Sequence, residues 1–157
     1  MIDIIVDDGI PLAELPDGAL LRQAVAAACS VAGVSRRVTL CLRLADDSAV
    51  HELNRQWRDT DTVTDVLSFP MQEGPDLHFD EPLGDIILAW PFVKCEAERL
   101  GLKTGDHMLH LIIHAVLHLL GHDHAEDGQA HRMQTMESRA MRALGLRDPY
   151  GEEHAHV

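Results

Sequence analysis

Histidine is the residue type whose placement carries chemistry in this chain. The segment His114-Ala115-Val116-Leu117-His118-Leu119-Leu120-Gly121-His122-Asp123-His124 holds four of its 11 histidines. His114 and His118 stand at i and i+4, so on a helix their rings project from one face, a turn apart. Two imidazoles so placed can reach one metal ion at about 2.0–2.1 Å. A third ligand cannot come from the same straight helix, because His110 shares the face but lies two turns from His118. The chain has to turn back, and Gly121 is where it can, since glycine tolerates positive φ. His122 or His124 then becomes the third candidate.

The spacing favours His124. His114, His118, Gly121 and His124 fall at i, i+4, i+7 and i+10, the ligand-and-turn spacing of the metzincin metalloproteases, H-E-x-x-H-x-x-G-x-x-H. Where those enzymes carry a glutamate base, this chain has Ala115. The ligand set is kept and the helix-borne base is absent. Three histidines with an open fourth position describe a catalytic rather than a structural zinc site, with one Zn2+ per chain. Zinc lowers the pKa of a bound water to about 7, so a base could lie elsewhere or be unnecessary. The plain alternative is a set of hydrogen-bonded core histidines, since i, i+4 pairs arise by chance in so His-rich a chain; the pair His110 and His114 is one. The match at four positions, one of them the turn glycine, favours metal. His51, His78, His107 and His131 have no ligand spacing, and His154 and His156 fall in the tail.

The elements that must position these residues follow from periodicity. Ile2, Ile4 and Val6 form a first strand. Asp17 caps a helix to about Ala32, with Leu20, Leu21, Ala24, Val25 and Ala28 on one face. Val38, Leu40, Leu42 and Leu44 alternate with polar residues and read as a strand. Asp47 or Ser48 opens a helix through Val50, Leu53, Asn54 and Trp57. Thr64 to Pro70 is a strand, 72–82 a mobile acidic loop, and Gly84 to Ala89 a fourth strand. Pro91 starts a helix that closes at Gly101. Asp106 to Leu120 is the most apolar helix, and a last helix runs from about Glu126 to Leu144. The expectation is a single α+β domain over 1–147, with four strands and about five helices, and a loose tail over 148–157.

Bulk composition limits the function classes. The 157 residues are 46% hydrophobic and 25% charged, which excludes wholesale disorder and low-complexity architecture. The formal charge of −13 argues against a histone-like polybasic binder, yet leaves room for RNA at a locally positive groove. No Lys or Arg occurs between Arg58 and Lys94, a span with eight acids. Cys29, Cys41 and Cys95 are widely spaced and read as reduced thiols. No basic, apolar signal segment opens the sequence and no apolar run approaches a membrane span, so a cytoplasmic protein without membrane contact is expected.

These residues resemble the YbeY endoribonucleases of bacteria. The family motif H-G-x-L-H-L-x-G-Y-D-H is matched at His114, Leu117, His118, Leu119, Gly121, Asp123 and His124, with Ala115 and His122 as departures. Leu53-Asn54 through Trp57-Arg58 to Asp61, then Thr64-Asp65-Val66-Leu67-Ser68-Phe69-Pro70, is similar to the family's L-N-x-x-Y-R-x-K-D-x-P-T-D-V-L-S-F-P. Trp57, Thr60 and Val63 replace Tyr, Lys and Pro. Leu83-Gly84-Asp85-Ile86 matches L-G-D-I. The resemblance implies a small mixed sheet flanked by helices, zinc held by three histidines, and hydrolysis of single-stranded RNA. It also implies a role in ribosomal RNA maturation at the 16S 3′ end and in ribosome quality control, with the small ribosomal subunit and assembly factors as partners.

The resemblance places the family's functional arginine on Arg58, which could pair with the scissile phosphate. By its neighbours alone, Arg58 reads as a surface ion pair with Asp59, Asp61 or Asp65. Asp123 could orient a ligand histidine or cap the following helix. Asp65 and Asp85 could accept a proton or hold a ring nitrogen, though hydrogen bonding to a turn is the plainer reading. Two other functions compete. One is a metalloprotease-like hydrolase, which Ala115 opposes. The other is a non-catalytic ribosome-assembly factor with a structural zinc, which the acidic charge suits.

Overall fold

Hydrophobic patterning along β4 explains the centre of the molecule. In this computed structural model, which describes residues 1–73, 76–123 and 126–150, β4 spans Pro82–Ala89 and is buried on both faces over most of its length. It starts two residues earlier than its apolar run suggests. A strand covered on both faces reads as a continuous apolar run rather than an alternation, and Ile86-Ile87-Leu88-Ala89 is such a run. β1 (Ile2–Val6), β2 (Thr39–Ala45) and β3 (Val66–Pro70) complete a sheet of order β1-β2-β4-β3. β1 pairs parallel with β2, and β2 parallel with β4. β3 runs antiparallel to β4, with Pro70 opposite Gly84. The mixed four-stranded sheet and α+β class are as expected.

Five helices flank it. α1 (Gly18–Val31) is capped by Asp17, whose carboxylate accepts from the Leu20 N–H at 2.9 Å. α2 (Asp47–Arg58) is capped by Asp46, not by Asp47 or Ser48, at 2.8 Å from the Ala49 N–H. α3 (Trp90–Leu100) takes Pro91 in its first turn. α4 (Thr104–Leu119) starts a little before the expected Asp106, and α5 spans Asp127–Ala143. One sheet face packs Leu40, Leu42, Leu44, Ile86 and Leu88 against α1, α4 and α5. The other carries a smaller cluster, Leu67, Ile87 and Ala89 with Val50 of α2. α4 is therefore the core helix, with ten buried residues including Ile112, Ile113, Val116 and Leu117. Among the described residues no helix is long and apolar enough to cross a membrane.

The start of the segment read as loose is tied down. Asp148 accepts from Ser138 Oγ at 2.8 Å and from the Tyr150 N–H at 2.9 Å, and the Tyr150 hydroxyl donates to Glu137 Oε1 at 2.9 Å. Its polar residues find buried partners on α5, a gain that a hydropathy profile does not register. Residues 151–157 lie outside the described ones.

Candidate functional site

α4 must bury most of its circumference, so its few polar side chains are confined to the strip that the core leaves open. His114 and His118 share that strip and line a groove of about 420 Å³ with Asn54, Arg58, Thr64 and Ser68. Ala115, where a metzincin has its base, is fully buried in the core. Just past the end of α4, Gly121 has φ +99°. The Gly121 N–H reaches His118 O at 3.0 Å and the His122 N–H reaches Leu117 O at 3.0 Å, a Schellman end that turns the chain back as the spacing required. His124, the third expected ligand, lies outside the described residues.

Arg58 ends α2 and is aimed at β3. Its guanidinium donates to the Ser68 carbonyl and stacks 5.2 Å from the centre of the Phe69 ring. The ion pair that its neighbours suggested is not formed among the described residues. Asp59 closes α2 in a left-handed backbone conformation, Asp61 pairs with His51 at 2.8 Å, and Asp65 is engaged by the Val66 N–H and by Glu96. Buried Asn54 donates from Nδ2 to the Thr62 carbonyl at 3.0 Å, holding the 59–65 connection against α2.

Behind the groove lies a carboxylate that sequence reasoning missed. Glu137 of α5 is 1% exposed, and its Oε1 accepts from three donors. These are His110 Nε2 at 2.7 Å, His114 Nδ1 at 3.3 Å and the Tyr150 hydroxyl at 2.9 Å. Burial pushes its pKa up, but the hydrogen bonds and charges of the two imidazoles prevail and hold it at about 2. His114 moves the opposite way. Burial lowers its pKa, and the Glu137 bond and charge, with a contribution from Asp65, raise it on balance. With Nδ1 engaged by a carboxylate, His114 presents Nε2 as its donor atom, the arrangement typical of a metal-ligating histidine. The signal in the sequence was a charged residue among the inward positions Met133, Ala140 and Met141.

A second polar cluster joins three elements. Asp65, just before β3, accepts from the Val66 N–H at 2.8 Å and from Thr64 Oγ1 at 3.3 Å. Burial, then the charge and hydrogen bond of Glu96, push its pKa up. Glu96 in turn meets His107 Nε2 at 2.6 Å. The ligand atoms of Asp65, Glu96 and His107 all lie within 4.8 Å of one another, so this group could hold a metal ion. Within it Glu96 engages Asp65 and His107 Nε2, while His107 Nδ1 is buried with no hydrogen-bond partner among the described residues; His114 and His118, by contrast, open onto the groove. Neither Glu96 nor His107 stood out by spacing, because three elements contribute one residue each.

The remaining expected residues are dispersed. Asp65 touches neither ring but acts on His114 through its charge. Asp85 sits on β4 opposite Phe69 of β3 and Cys41 of β2, and is not among the residues lining the groove. Asp123 follows the Gly121 turn and is exposed, while the cap position of α5 is Glu126.

Comparison with known proteins bears on the family and the fold. The family model described as Endoribonuclease YbeY matches residues 11–145. A protein of that name from Azorhizobium caulinodans is 40% identical over 153 residues, covering 95% of each chain. One from Parvibaculum lavamentivorans is 41% identical over 142 residues, 85% of this chain and 77% of that protein. A solution structure of a Thermotoga maritima protein superposes with a TM-score of 0.59 at 24% identity, over 95% of this chain and 98% of the other. At that identity the likeness concerns the fold.

Proposed function

Since this chain belongs to the YbeY endoribonuclease family, we propose that it is a metal-dependent hydrolase cutting single-stranded RNA. Its place would be in the cytoplasm, maturing the 3′ end of 16S ribosomal RNA and clearing defective ribosomes, with the small subunit and assembly factors as partners. The observation that carries this reading is the convergence of His114, His118 and Arg58 on one groove.

The donor set fits a zinc ion, which His114, His118 and His124 would hold. When bound, zinc supplies Lewis acidity toward a phosphoryl oxygen and a nucleophile at neutral pH. The chain's own residues do the rest. Glu137 holds the Nδ1 proton of His114 and fixes the ring. Arg58, oriented by Ser68 and Phe69 before substrate arrives, pairs with the scissile phosphate and stabilises charge building on its oxygens. A preset guanidinium loses less entropy on binding than a free one. A protease is disfavoured because the position of its base, Ala115, is sealed in the core.

The test is cleavage of a single-stranded 16S 3′-terminal RNA by metal-quantified wild type and His114→Ala, with melting curves as fold controls. Cleavage should disappear together with the zinc in a folded variant. One zinc per chain with no cleavage by wild type would sink the nuclease reading in favour of a non-catalytic assembly factor.

A further inference from the structure

Acids outnumber bases two to one in this chain, 26 to 13, so any place where bases gather without acids is unexpected. One such place lies away from the histidine groove. A cavity of about 580 Å³, between α1 and the start of β2, is lined by Arg22, Arg36 and Arg37 and by no carboxylate. All three arginines are exposed, and none forms an ion pair among the described residues. Arg22 is steadied by donating to the Ile2 carbonyl at 3.3 Å, and the Arg36 guanidinium lies 6.0 Å from the centre of the Phe79 ring. The floor is apolar and buried, made by Val25, Cys29 and Val38. Unneutralised guanidinium groups around an apolar floor suit a nucleotide, with its phosphate on the rim and its base below.

The sheet relates this cavity to the groove. It opens at the end where β2 begins, and Thr39 there pairs with Pro82 of β4. Four residues on, Ile86 pairs with Ser68 of β3, which lines the groove. With strand order β1-β2-β4-β3, three spacings of ~4.8 Å put the outer strands about 14 Å apart. The intervening connection carries Glu73, Asp76, Asp80 and Glu81, whose repulsion of RNA the three arginines would offset.

We propose that Arg22, Arg36 and Arg37 form a second RNA-backbone site, which takes phosphodiesters of a single strand extending beyond the groove. This rests on the endoribonuclease reading. The site adds binding that is the same in ground and transition states, so it acts on KM and not on kcat.

The experiment compares wild type with Arg36→Ala/Arg37→Ala on labelled single-stranded RNAs of 5 and about 20 nucleotides, with kcat and KM measured across a salt series. Two lost phosphate contacts should raise KM for the long RNA about five- to tenfold at low salt. They should also lower the slope of log KM against log salt by about 1.4. kcat should hold, and the short RNA should be cut equally well by both proteins. Arg36→Lys/Arg37→Lys should keep most of the slope. An unchanged KM and slope on the long RNA overturns the inference, as does an equal loss on the short RNA. If wild type cuts neither RNA, the nuclease reading fails on its own. Binding of the 20-mer by anisotropy then decides this one, and equal affinity of the two proteins rejects it. Binding of poly-glutamate that is lost in the double variant would assign the cavity to an acidic protein and also reject it.

Discussion

Replacing Glu137 by Gln keeps the shape of the side chain and removes its charge from a site only 1% exposed. In the native fold that charge is held by three hydrogen bonds to a single oxygen, and the carboxyl pKa falls from 4.5 to about 2. A shift of that size corresponds to about 3 kcal/mol of preference for the ionised form. The sign follows from its direction. A folded-state pKa below the unfolded one contributes stability that is complete above about pH 4.5 and drains as the pH falls toward 2. The raised pKa of His114 sets the other limit, because its share is full below about 6.5 and is lost as the pH rises through the folded value. The pair is therefore strongest near pH 5.5. Urea unfolding of metal-free protein there should show Glu137→Gln destabilised by about 3 kcal/mol, with about 2 kcal/mol of that difference gone by pH 3. The same substitution should weaken zinc retention against a chelator by about 10- to 100-fold, because His114 loses the anion that orients it. A loss below about 1 kcal/mol at pH 5.5, or one that does not change with pH, would refute the view of Glu137 as a held charge behind the proposed metal ligand.

Other perturbations probe separate links. Asp65 has a raised pKa from burial and from Glu96, so its ionisation costs stability as the pH climbs above its unfolded value. Asp65→Asn should accordingly melt higher than wild type at pH 7, with the advantage shrinking toward pH 4; a lower Tm at pH 7 contradicts this. Gly84 has φ +153°, and a Cβ there would run into the Phe69 carbonyl and come within 3.0 Å of Pro70 Cα. Gly84→Ala should lose about 3 kcal/mol or more in urea unfolding, as neither backbone can yield without breaking the β3–β4 pairing; a wild-type midpoint would be inconsistent with so close an approach. Arg58→Lys keeps the charge but forfeits the fork and the plane that rests on Phe69. It should lower kcat on single-stranded RNA at least about tenfold at unchanged Tm, and full activity would show that a point charge suffices.

How much of this was legible beforehand depends on the range of the interaction involved. His114, His118 and Gly121 were readable because helix geometry converts spacing directly into a shared face and a stop. The strands and helices were readable from periodicity, and their ends moved by only a residue or two. β4 shows why ends are hard: Pro82 joins it by pairing with Thr39 and Leu83 by accepting from the Met71 N–H, which no local pattern records. Arg58 was placed by resemblance, and only the fold shows it resting on Ser68 and Phe69 rather than on an aspartate.

The sequence by itself determined the fold class, the metal-type spacing on α4 and the reversal after it, because each is decided within a few turns of chain. Only the tertiary structure decided which polar groups meet. Glu137 lies 23 residues from His114, and Asp65, Glu96 and His107 come from a loop and two helices. Arg22 and Arg37 come from a helix and a loop. Such encounters are set by how helices and strands pack once their apolar faces are buried. A carboxylate can then sit behind an imidazole for reasons invisible in its own neighbourhood.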